Sequence, residues 1–315
     1  MPVSSPLPTT AYAAPRPGLA VVTHPAFHAP LPAGHRFPMH KYRRLAEVLV
    51  EDGIVPRGGF IEPAEAPADW LALAHERAYV DQVLSASAPP EVERRIGLPI
   101  TPAMALRTRT SCAATLLAGR LALERGIACT TAGGSHHARR DGGRGFCVFN
   151  DVAVAVLNLK AAGEIGTCAV IDCDVHQGDG TADILADSAL FTCSIHAEKN
   201  YPSDKVPSDL DVGLPDGVDD AGYRDVLAAH VPGLLDHVRP DIVFYNAGVD
   251  PHVEDKLGRL ALTDRGLRAR DAYVIDQVRR RGIPFVGVIG GGYADDVEVL
   301  ARRHAGLHAE AAKAA

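Results

Sequence analysis

Six short apolar runs constrain this chain more than anything else in it. They are GLAVVTH (18–24), IACTTAG (127–133), TCAVIDCDV (167–175), LFTCSIH (190–196), DIVFYNAGV (241–249) and PFVGVIGGG (284–292). Their apolar residues are near-continuous rather than strictly alternating, as in strands covered on both faces. Helical patterns lie between them. MHKYRRLAEVLVE (39–51) stops at Gly53, and RTRTSCAATLLAGRLALERG (107–126) ends on a glycine. NDVAVAVLNLKAAGE (150–164) has Asn150 as N-cap, and TDRGLRARDAYVIDQVRRRG (263–282) starts on Thr263 and also ends on glycine. Buried strands alternating with helices predict an α/β fold: a central, mostly parallel sheet flanked on both faces.

Nothing after the first residues breaks this pattern, so 18–315 reads as a single domain. MPVSSPLPTTAYAAPRPG, with neither a basic start nor a long apolar core, reads as a Pro-rich, poorly ordered leader over 1–17 rather than a signal peptide. No apolar run has the length of a membrane span. The net charge of −7 argues against nucleic-acid phosphate as a direct partner. Cys112, Cys129, Cys147, Cys168, Cys173 and Cys193 form no CxxC pair and sit mostly in apolar runs. That usage fits a reducing compartment, so the expected location is the cytoplasm.

Four of the strands run into chemically loaded loops: GGSHHA (133–138), DCDVHQGDG (172–180), NAGVDPH (246–252) and GGGYADD (290–296). In open α/β sheets ligands bind beyond the carboxyl ends of the strands, and four ends agreeing points to a site. Alternate residues of a strand share a face, so Asp172, Asp174 and His176 lean together. With Asp250, Asp174 and His176 form a one-nitrogen, two-oxygen set that leaves a position open for water or substrate. One histidine of the His136–His137 pair can act as general base and the other can orient or stabilise charge, with Asp172 and Asp179 as spare carboxylate partners. Tyr293, after Gly290, Gly291 and Gly292, can donate to a developing oxyanion. There is no GxxxxGK[ST] and no GxGxxG, which argues against ATP and NAD. Together these groups suit hydrolysis of an unactivated amide carbonyl.

These motifs, with GHRFPMHKY (34–42), GRGFCVFNDVAVA (143–155) and HAEKNYP (196–202), resemble the histone deacetylase superfamily from about residue 20 onward, most closely class IV and related bacterial enzymes. The resemblance implies an arginase-like sheet of about eight strands. It also implies zinc, with iron(II) as an alternative, on Asp174, His176 and Asp250. It makes His137 the general base and acid, paired with Asp179, and His136 the electrostatic helper, paired with Asp172. Tyr293 matches the transition-state tyrosine. Gly145, Phe146, Tyr201 and Gly291 would line the acyl tunnel, and Arg36 the product channel below the metal. A structural potassium ion is implied at Asp172, Asp174, His176, Ser194 and Ile195. The implied partner is an acyl-lysine protein or peptide, with acetyl or longer acyl groups; acetylpolyamine or another small acylated amine is the alternative. Asp179 stands where asparagine is usual in class IV and class II relatives, which predicts a more basic His137 than an asparagine partner would give. APPEVERRIGLPITPAM (88–104) reads as a loop with no equivalent of the family's rim aspartate.

Overall fold

In the computed structural model, which describes residues 18–186 and 190–315, all six apolar runs become strands and a seventh joins them. The expected leader at 1–17 lies outside the described residues. The strands are β1 (Ala20–Val22), β2 (Ile127–Thr130), β3 (Cys168–Asp172), β4 (Phe191–Ala197), β5 (Leu210–Leu214), β6 (Ile242–Asn246) and β7 (Phe285–Val288). They form one sheet in the order β1-β2-β7-β6-β3-β4-β5, parallel at every pairing. Seven strands among the described residues correct the eight implied by resemblance. The unforeseen strand, β5, is a half-exposed edge strand carrying Asp211 and Gly213, so no continuous apolar run announces it.

Ten α-helices flank the sheet among the described residues. They are α1 (Lys41–Glu51), α2 (Ala68–Leu71), α3 (Arg77–Leu84), α4 (Pro90–Ile96), α5 (Pro102–Arg125), α6 (Asp151–Ala161), α7 (Asp179–Leu185), α8 (Asp220–Val238), α9 (Asp264–Arg279) and α10 (Val297–Lys313). Capping explains several of their boundaries. Thr101 accepts from Met104 N at the start of α5, Asn150 from Ala153 N in α6, and Thr263 from Gly266 N in α9. Each such cap is worth about 1 kcal/mol. The 88–104 stretch is not a loop: Pro90 opens α4, and Gly97, at φ +79°, closes it.

The sheet divides two cores. Along β3, Cys168 and Val170 face one core while Ala169 and Ile171 face the other. Along β6, Ile242 and Phe244 take the first side, and Val243 and Tyr245 the second. Helices α1, α5 and α6 cover the first core, α8 and α9 the second, and α10 contributes to both. Burial on both faces is why these strands are apolar throughout. Truncating a core leucine such as Leu45 to alanine should cost about 2–5 kcal/mol.

One consequence of the strand order positions the site. β2, β7, β6 and β3 are neighbours, and because they are parallel their carboxyl ends lie together. The four loaded loops are therefore brought to one edge of the sheet.

Candidate active site and metal centre

Asp174 and His176 follow β3, and Asp250 follows β6. One ligand atom from each lies within 4.8 Å of the others, and all three residues are buried. Backbone donors set the carboxylates: His176 N and Gly291 N donate to Asp174 Oδ1 and Oδ2 at 2.9 and 2.7 Å, and Val175 N donates to Asp250 Oδ1 at 2.9 Å. His176 Nδ1 lies 3.0 Å from Asp174 Oδ1 and 3.2 Å from Asp250 Oδ2. Burial opposes charge on that imidazole, yet the two carboxylates override it and push it up to about 10. Burial, reinforced by Asp174, pushes Asp250 up to about 7. Two carboxylates buried side by side call for positive charge between them. The one-nitrogen, two-oxygen donor set fits a divalent cation.

The histidine pair follows β2 on a turn tied down by Asp151 at the start of α6. The Asp151 carboxylate accepts from Ser135 N at 2.8 Å, Gly134 N at 3.2 Å and Thr115 Oγ1 at 2.6 Å. His136 Nδ1 bonds Asp172 Oδ2 at 2.7 Å, and His137 Nδ1 bonds Asp179 Oδ1 at 2.6 Å. Burial opposes charge on His136, but Asp172 and Asp174 outweigh it and raise it to about 9. Burial and the neighbouring His136 push His137 down to about 3, although Asp179 pulls the other way. The two imidazoles are thus shifted in opposite directions by their surroundings.

A cavity of about 450 Å³ runs from the surface to His137, His176 and Tyr293. Gly145, Phe146 and Tyr201 line it. The Tyr201 ring stands edge-on to His137 at 4.8 Å, and its hydroxyl accepts from Arg144 Nε at 2.7 Å. Phe146 holds a left-handed φ of +64°, a conformation a bulky residue rarely keeps unless its surroundings enforce it. Its N–H donates to Ile96 O at 2.7 Å, and a Cβ on Gly97 would come within 3.0 Å of its ring. Tyr293 packs 6.4 Å from His176 and 6.1 Å from Phe146, and burial keeps its phenol protonated far above the ordinary tyrosine range. A larger cavity of about 630 Å³, between Phe27 and α1, contains none of these groups.

The histone deacetylase domain family model matches residues 35–308. The chain belongs to that family. It is a deacetylase-family hydrolase with a buried Asp174, His176 and Asp250 metal-binding triad. It is 47% identical over 292 residues to an uncharacterised protein of Picosynechococcus sp., spanning 92% of this chain and 97% of that one. It is 29% identical to histone deacetylase 2 of Arabidopsis thaliana, over 85% of this chain and 74% of the relative. It is 26% identical to a probable deacetylase of Methanothermobacter thermautotrophicus, over 90% and 88% of the two chains. Among solved structures, the HD domain of HDA15 superposes with a TM-score of 0.77 at 22% identity, covering 94% of this chain and 87% of that one. This last likeness concerns the fold.

Within this deacetylase-family site, two expected positions differ from the structure. Arg36 is not below the triad; it lies at the outer mouth with its guanidinium 4.8 Å from the Phe146 ring centroid. Lys41 lies behind the triad instead, lining a small inner cavity of about 30 Å³ with Arg107, Asp174 and Gly291. Lys41 Nζ donates to Gly290 O at 3.0 Å, and burial lowers its amine to about 8 against the pull of Asp250 and Asp174. A signal for it existed: Lys41 shares the buried stripe of α1 with Leu45, Val48 and Leu49. Gly291 likewise sits against the carboxylates rather than along the outer tunnel, and a side chain there would collide with Asp250. Of the residues expected around potassium, Asp172 and Ser194 pair in register across β3 and β4, and Gly178 N donates to Ser194 Oγ at 3.3 Å. Asp179 does raise the basicity of His137, in the expected direction, but burial and His136 outweigh it and the net shift is downward. Asp179 is also not free to act on His137 alone, since Arg139 Nε donates to its second oxygen at 2.8 Å.

Proposed function

We propose that the protein is a zinc-dependent lysine deacylase, with His137, Tyr293 and the triad acting on an Nε-acyl amide. The observation carrying this reading is the cavity that runs from the surface to His137, His176 and Tyr293. Its walls, Phe146, Gly145 and Tyr201, suit an extended alkyl stem. A divalent cation on Asp174, His176 and Asp250 would supply Lewis acidity and lower the pKa of water there. The residues then divide the remaining work. His137 is neutral, and Asp179 holds its Nδ1 proton, leaving Nε2 to accept a proton from the attacking water and return it to the leaving amine. Tyr293 keeps its phenolic proton and can donate it as a hydrogen bond to the carbonyl oxygen as that oxygen gains charge. His136, hydrogen-bonded to Asp172, sets a second imidazole beside the same centre, where it can stabilise developing negative charge.

Lys41, on the inner cavity, takes the role first expected of Arg36 along the product path. Asp172 and Ser194, with the carbonyls of Asp174, His176 and Ile195, are proposed to hold a structural potassium ion. The class IV kinship rests on motif wording such as GHRFPMHKY. Six buried, unpaired cysteines support a reducing, cytoplasmic location, and no helix among the described residues is long and apolar enough to cross a membrane. The test is turnover of acetyl-lysine peptide by zinc-loaded wild type beside Tyr293→Phe, which should lose at least about tenfold in kcat. Equal turnover by the two would remove Tyr293 from the mechanism.

A further inference from the structure

The mouth of the catalytic cavity is lined by Arg36, Arg94, Arg95, Lys199 and Arg259, and by no Asp or Glu among the described residues. This is notable on a chain whose net charge is −7. The five cations come from separate places: the segment before α1, the helix α4, the turn after β4 and the loop beyond β6. All five are exposed. Carboxylates outside the lining engage some of them: Asp141 with Arg95 at 2.9 Å, and Asp216 with Arg259 at 3.2 Å and Lys199 at 3.9 Å. One carboxylate therefore serves two cations. Arg36 lies against the Phe146 ring instead of an acid. The rim is net positive, and it lines the same cavity that reaches His137.

We propose that this rim selects acyl-lysine segments flanked by acidic residues and rejects cationic substrates. The inference rests on the hydrolase reading of the same cavity and narrows its substrate class. Aspartate or glutamate beside the acylated lysine would meet arginines able to pair bidentately. Lysine-rich segments and acetylpolyamines would bring like charge to the rim, which weakens association and slows encounter. The acylated lysine is itself neutral, so charge discrimination falls on its neighbours.

The test separates binding from turnover. Fluorescein-labelled peptides of one length, with Nε-acetyl-lysine flanked by Glu, Ser or Lys, are titrated by polarisation into zinc-loaded His137→Ala protein, with N-acetylspermidine as competitor. At about 50 mM salt the Glu-flanked peptide should bind about tenfold more tightly than the Ser-flanked one, and the advantage should shrink at about 500 mM. The Lys-flanked peptide should bind most weakly, and acetylspermidine should compete poorly. Arg36→Glu with Arg94→Glu should reverse the order; Arg94→Gln alone, an exposed change on α4, should narrow it. Equal affinities, or tightest binding by the Lys-flanked peptide, would overturn the proposal, as would an order unchanged by salt and by both sets of substitutions. Turnover of the Ser-flanked peptide by wild type reports separately on the hydrolase reading. A charge preference without turnover would leave the rim assignment standing and remove the hydrolytic one.

Discussion

His137 donates from Nδ1 to Oδ1 of Asp179 across 2.6 Å, while Arg139 Nε donates to the other oxygen of the same carboxylate at 2.8 Å. Asp179 is fully buried, so this geometry fixes both the tautomer and the orientation of the imidazole. Replacing Asp179 by alanine should lower kcat by about 10–100-fold with little change in KM, since the contact orients His137 rather than substrate. Steady-state kinetics on one acetyl-lysine peptide check this. A change in KM alone would place Asp179 in substrate binding instead.

The metal centre should be sensitive to pH in a defined direction. The metal-free triad favours a proton on His176, whose imidazole the two carboxylates push up to about 10. A cation must displace that proton, so zinc affinity should rise with pH, by about tenfold per pH unit for one proton released. Competition titration against a chelator between about pH 6 and pH 8 measures the slope. A flat profile would mean that no proton is displaced.

His75 predicts how stability falls in acid. Its Nδ1 bonds Arg139 O at 2.9 Å and its Nε2 accepts from Asn150 N at 2.9 Å, which requires the neutral ring. Burial pushes it down to about 4 from an ordinary value of 6.5. The unfolded chain therefore binds more protons than the folded one between those values. The stabilisation is present above about pH 6.5 and is lost as pH falls toward 4, by about 3 kcal/mol. Urea unfolding at several pH values should show a smaller acid loss in His75→Gln than in wild type. Parallel losses in the two proteins would contradict this.

Arg270 links the two loops that carry the metal ligands. From α9 its Nη1 donates to Cys173 O at 3.0 Å and Gly248 O at 2.6 Å, the residues just before Asp174 and two before Asp250. Its charge is balanced by Asp271, which also accepts from Tyr245 Oη at 2.6 Å. Arg270→Met should destabilise by about 3–5 kcal/mol because Asp271 is left buried without its cation. Adding Asp271→Leu should recover part of the loss, and urea midpoints for the single and double variants decide it.

What could be read from the sequence followed from burial. Strands covered on both faces are apolar throughout, so β1, β2, β3, β4, β6 and β7 announced themselves, whereas the half-exposed β5 did not. The helix α4 was hidden because prolines and a glycine flank it, although Pro90 and Gly97 are its start and stop signals. Asp174, His176 and Asp250 could be paired because each ends an apolar strand and parallel strands share one carboxyl edge. Arg36 was misplaced because local sequence does not show which cation of GHRFPMHKY turns inward. The buried stripe of α1 selects Lys41, four residues before Leu45. The charge of the mouth was beyond reach, since it is assembled from four separate segments.

The most direct test is turnover of Nε-acetyl-lysine peptide by zinc-loaded wild type, by the same protein after chelation, and by His137→Ala with its zinc content verified. The predicted result is activity in the first, loss on chelation with recovery on adding zinc back, and a drop of about 10²–10⁴-fold in the variant. Activity that survives chelation, or that His137→Ala retains, would contradict the assignment of this cavity as a metal-dependent deacylase site.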